Sequence, residues 1–123
     1  MGLENTSIHS AICYCNTNDP VPVFVLNRGF ASIARSAGHP LGVFDLTPDV
    51  NTGGAWHPSE CSVQVSVVAL NDVIDPLATP PNSIDYRWRQ NVNGAYYLQI
   101  RCIDQDVMGL ENLSFSVKVE RLN

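Results

Sequence analysis

The fold this sequence predicts is all-β: a single-domain antiparallel β-sandwich or jelly roll of about eight strands, preceded by an N-terminal arm. Three observations lead there. Apolar residues recur with a period of two, which puts alternate side chains on opposite faces of a strand. Glycine, proline and asparagine punctuate the chain between those runs, as turns require. No window carries the i, i+3, i+4, i+7 stripe of an amphipathic helix. The length of 123 residues suits one domain, and 45% hydrophobic with 15% charged residues is too apolar for a disordered chain.

The elements follow in order. Residues 8–15 and 21–27 read as two strands. We divide the chain into an arm, 1–22, which includes a possible first strand, and a sandwich domain, 23–123. Residues 30–35 and 41–46 read as the next two strands, joined by a turn over 36–40. A short helix over 31–37 is the rival reading, and the flanking Gly29 and Gly38 fit strand and turn better. In 62–69, Val63, Val65 and Val67 alternate with Ser62, Gln64 and Ser66. In 84–89, Ile84, Tyr86 and Trp88 alternate with Asp85, Arg87 and Arg89, and 95–103 returns as the partner strand after the turn chemistry of Asn91 to Gly94. Residues 113–121 close the fold, with Leu113, Phe115, Val117 and Val119 on one face. The proline-containing connections 47–59 and 71–83 are long enough to serve as contact arms or as plain crossovers.

Charge bounds the partners. The net charge is -5, and Lys118 is the only lysine beside six arginines, which argues against nucleic acid and anionic lipid as general partners. No run approaches 18 apolar residues, so no membrane partner is expected, and residues 1–10 lack the features of a secretion signal.

The sequence nominates no catalytic residue, no metal-ligand set and no cofactor. Cys13 and Cys15 stand two apart, so an extended strand holds them about 7 Å from each other, wide for two ligands of one tetrahedral ion unless the strand bends towards Cys61 and Cys102. Buried thiols are the expected state of the four cysteines, since cysteine packs as a small hydrophobe. His39 and His57 each precede a proline, and neither lies in a nucleophile or zinc motif. The residues nominated for ligand or partner contact are Trp56, His57, Arg87, Trp88 and Arg89. The aromatic side chains admit two arrangements. In the first, Tyr86 and Trp88 enter the core while Arg87 and Arg89, with Arg101, are displayed to a neighbouring subunit. In the second, Trp56, Trp88 and one of Tyr96 or Tyr97 form an exposed platform for a sugar ring.

The succession of Gly29 to Arg35, Leu41 to Leu46, the valine-rich strand from Cys61, Arg101-Cys102-Ile103-Asp104 and Asn112 to Val117 resembles the small all-β modules of tailed-bacteriophage virions. The likeness lies in size, strand rhythm and long proline-rich loops, and it covers about residues 29–122. The resemblance implies a structural, non-enzymatic protein of the virion, made in the host cytoplasm. Its role would be capsid cement or decoration that binds and stabilises neighbouring subunits. It implies a homo-oligomer, with a trimer favoured, and major capsid or tail proteins as partners. The alternative it leaves open is a carbohydrate- or receptor-binding sandwich of a tail fibre or spike.

Overall fold

The computed structural model describes residues 7–15, 21–39, 41–49, 55–68, 83–104 and 109–122. They form β1 (Ser7–Tyr14), β2 (Val23–Arg28), β3 (Phe30–Arg35), β4 (Val43–Pro48), β5 (Cys61–Val67), β6 (Ser83–Gln90), β7 (Tyr96–Asp104), β8 (Gly109–Leu110) and β9 (Phe115–Arg121). All pairings are antiparallel, and the strands make two sheets packed as a sandwich. Sheet A has the order β2-β1-β9-β5. Sheet B has the order β3-β4-β7-β6, with β8 added at the end of β7. Among the described residues the only helical piece is a 3-10 turn, Pro58–Glu60, and no helix is long and apolar enough to cross a membrane.

Period-two patterning decides which atoms meet between the sheets. Phe115, Val117 and Val119 of β9 point inward and are almost wholly buried. Phe44 and Leu46 of β4, and Leu98, Ile100 and Cys102 of β7, face them from sheet B. The rings of Phe44 and Phe115 meet across the sandwich at 5.8 Å. Each such side chain contributes about 1.5–3 kcal/mol of burial, so these strands supply the largest favourable term in the fold. In β5, the valines are half-buried and Ser62, Gln64 and Ser66 are exposed, as the alternation requires.

Between β2 and β3 the chain passes from sheet A to sheet B at one residue. Gly29 has φ +90°, and a Cβ there would lie 2.7 Å from His9 Cδ2. Any side chain at this corner would meet both a backbone penalty and a buried ring. Asn27 completes the corner: its amide donates to Phe30 O at 2.9 Å and its carbonyl oxygen accepts from Phe30 N at 3.2 Å.

Three expectations need correction. The division at residue 22 separates β1 from β2, which pair with each other. β1 also pairs along its length with β9 and places His9, Ala11 and Cys13 in the core, so it is a central strand and no part of a free arm. Second, β4 begins at Val43 and runs to Pro48. Gly42 bends the chain before it, with φ +74° and no room for a Cβ against Glu111 N, Glu111 O and Cys102 O at 2.8–2.9 Å. Third, β8 was not foreseen, because two residues carry no alternation. The expected contact arm over 71–83 falls, up to residue 82, outside the described residues, as do residues 50–54 of the other long connection.

Candidate functional site

The hairpin β6–β7 builds the most distinctive surface. Its turn is closed by Asn91 N donating to Ala95 O at 2.9 Å and Gly94 N donating to Asn91 O at 3.0 Å. Gln90 is then opposite Tyr96, and every later pair is fixed: Arg89 with Tyr97, Arg87 with Gln99, Asp85 with Arg101. Leu98, Ile100 and Cys102 alternate into the core, so Asp85, Arg87 and Arg89 stand on the outer face of sheet B beside Arg101. Arg101 and Asp85 form a two-pronged ion pair, with Nε donating to Oδ1 at 3.1 Å and a second contact between Nη2 and Oδ2. Both partners are about half exposed, so solvent screens the attraction and the pair contributes under about 1 kcal/mol.

Arg87 and Arg89 differ from Arg101. Both are exposed, and neither has a carboxylate partner among the described residues. Gln99, opposite Arg87, has its amide nitrogen engaged with Ser36 Oγ at 2.9 Å and Asp45 Oδ1 at 3.3 Å. The two guanidinium groups border a groove of about 380 Å³. β7 contributes Arg101 and Ile103 to its lining, β4 contributes Val43, and β8 contributes Leu110. The groove therefore joins surplus positive charge to an apolar wall. Planar guanidinium forks in such a place suit carboxylates, which they can bind through two parallel hydrogen bonds.

The other nominated residues divide. Trp56 is 3% exposed, and its indole packs edge-on against His9, Phe30 and Trp88 at 5.3, 5.7 and 5.5 Å. The structure does bring Trp56 and Trp88 together, but as the aromatic end of the core. The exposed sugar platform built on both is corrected accordingly. Tyr86, expected inside, lies opposite Ile100 on the edge strand β6 and is 42% exposed. His57 is exposed. Its Nδ1 accepts from Ser59 N at 3.3 Å and lies 2.7 Å from Ser59 Oγ, which caps the turn Pro58–Glu60, and its ring rests on Tyr96 at 5.6 Å. A cleft of about 430 Å³ near Pro48, Asn91, Tyr96 and Tyr97 is the remaining aromatic surface.

No family model, curated protein or solved structure matches the chain. The surface chemistry thus carries the functional argument alone.

The buried titratable groups offer little for chemistry at neutral pH. Cys13 and Cys102 are wholly buried thiols held at about 12, chiefly by burial. For Cys13 the nearby Cys102 adds to the shift. Burial also raises Cys15, with Cys102 and Cys13 adding to it and Arg35 opposing. Thiols so protonated are weak nucleophiles and poor metal ligands. Among the described residues, no three His, Cys, Asp or Glu side chains gather in a way that could hold a metal ion. His9 accepts a 3.4 Å hydrogen bond from Trp56 Nε1 on its Nδ1, which assigns the proton of the neutral ring to Nε2. Burial, then the nearby Arg121, pushes its pKa below the ordinary 6.5, while Asp49 opposes the shift.

Sequence reasoning nominated Arg87 and Arg89 but did not find the groove. Val43 and Leu110 join its lining through strand pairings that no local pattern encodes. The Asp85–Arg101 pair was within reach: from Gln90 facing Tyr96, five steps back along β6 and five forward along β7 bring these two opposite each other.

Proposed function

We propose that this protein is a structural component of a bacteriophage particle. In this reading it is a non-enzymatic capsid cement or decoration protein that docks on neighbouring subunits through the outer face of sheet B. One observation carries the docking face. In a chain of net charge -5, Arg87 and Arg89 stand side by side on a groove without carboxylate partners among the described residues. Exposed arginines left unpaired within a subunit are available to carboxylates across an interface. The partners are further copies of the chain, in a closed trimer, and major capsid or tail proteins. Symmetric repetition lets many modest contacts hold a shell together.

Native mass spectrometry of wild type and of the Arg87→Glu/Arg89→Glu variant tests the docking face. The wild type is expected as a closed oligomer and the variant as a monomer, with thermal unfolding changed by no more than about 1 kcal/mol. A variant that assembles like the wild type removes sheet B from the docking role. Absence of the protein from density-gradient-purified particles of the virus that encodes it removes the virion reading itself.

A further inference from the structure

The groove also specifies what it binds. Arg87 and Arg89 are two residues apart on one strand, so their stems leave the sheet about 7 Å apart on the same face. An extended peptide repeats its own side chains at the same interval on one side. Two carboxylates at positions i and i+2 of such a peptide would meet the two guanidinium groups in register. Arg101 shows the pattern already filled, since its cross-strand neighbour Asp85 supplies the carboxylate. Arg87 and Arg89 face Gln99 and Tyr97 instead, so no carboxylate among the described residues answers them.

The rest of the lining narrows the class of ligand. Val43, Ile103 and Leu110 form apolar wall, which a bare inorganic anion would leave uncovered. A nucleic acid is a poor match, because its affinity rests on many phosphate contacts and the groove offers only two guanidinium groups without a carboxylate partner among the described residues, on an acidic protein. We infer that the groove captures an extended acidic peptide segment of a partner chain, with two carboxylates two residues apart and apolar residues between and beside them. This inference rests on the docking face proposed above and names its ligand.

The test uses the full-length protein and two synthetic peptides of one composition, blocked at both ends and built from glutamate, valine and threonine. One carries its two glutamates at alternate positions, the other side by side. Calorimetry and amide chemical-shift mapping are expected to show the alternating peptide bound along β6, β7 and β8. Its affinity should fall about tenfold or more in the Arg87→Gln/Arg89→Gln variant, because each bidentate charged contact is strong. It should also weaken as ionic strength rises from about 0.05 to 0.5 M, since the contacts are exposed. Equal binding of both peptides, displacement of the peptide by equimolar inorganic sulfate, or undiminished binding by the glutamine variant would each overturn the inference. The two proposals fail separately. Loss of assembly in Arg87→Glu/Arg89→Glu without any peptide binding sinks the peptide ligand and keeps the docking face. Peptide binding beside unchanged assembly keeps the ligand and sinks the docking face.

Discussion

On the outer face of sheet A, Ser66 and Ser116 share a hydrogen bond at 2.7 Å, and Lys118 lies between Ser10 and Gln64 on its two neighbouring strands. On the outer face of sheet B, Asp85 pairs with Arg101 and Asp45 accepts from Gln99, while Arg87 and Arg89 have no carboxylate partner among the described residues. Each face carries a hollow. The hollow on sheet A, at about 500 Å³, is larger than the groove on sheet B at about 380 Å³. Volume alone would choose sheet A. Its lining joins Ile12 and Leu26 to serines, Gln64 and a single lysine, and so holds one cation where the groove on sheet B holds three guanidinium groups. The difference teaches that a binding face is recognised by charge left unanswered rather than by the size of the depression.

The comparison predicts that the sheets are alike inside and differ outside, and the largest effects should test the likeness. Phe44→Ala on sheet B and Phe115→Ala on sheet A remove the two halves of one cross-sandwich contact. Each should cost about 3–5 kcal/mol in chemical denaturation. A gap of more than about 2 kcal/mol between them would show that one sheet dominates the core.

A smaller effect comes from acid, to which the two inner faces respond differently. Sheet A holds His9, whose folded pKa lies below 6.5, with Arg121 lowering it further and Asp49 opposing. The unfolded chain then binds a proton near pH 6.5 that the folded chain refuses. Stability therefore falls as pH drops from about 6.5 towards the folded pKa, and levels off below it. His9→Gln should flatten this part of the profile, measured as unfolding midpoint against pH. A variant with the wild-type slope would mean that other groups set the acid sensitivity.

The smallest effects belong to the outer pairs. A double-mutant cycle on Asp85 and Arg101 should give a coupling under about 1 kcal/mol that shrinks further with salt. The same cycle on Ser66 and Ser116 should give about 0.5 kcal/mol or less, without salt dependence. A large coupling at Asp85 would mean that this pair is shielded from solvent more than its half exposure implies.

Much of the fold was legible because one alternating rule governs it. Val63, Val65 and Val67 lie inward, β3 is a strand rather than a helix, and the Asn91 to Gly94 turn closes a hairpin. The rule fails where identity depends on contacts distant in sequence. Alternation cannot tell whether an amphipathic strand such as β1 lies at the edge or in the centre of a sheet, because that depends on which strands flank it. Trp56 sits in an irregular segment before the 3-10 turn, with no periodicity to show that Phe30, His9 and Trp88 would enclose it. The displayed arginines followed from the alternation of β6. The groove beside them depends on Val43 and Leu110, which lie far apart in the chain.

The place of β9 in the middle of sheet A has a consequence for how the chain is born. Ribosomes add about 5–20 residues per second and release a chain from its N-terminus onward. Sheet B can pair β3, β4, β6 and β7 once residue 104 has emerged. Sheet A cannot, because β1 and β5 are joined only through β9, the last of the nine strands to be translated. Until then the nascent protein holds an open slot one strand wide, with β1 and β5 as its bare rims.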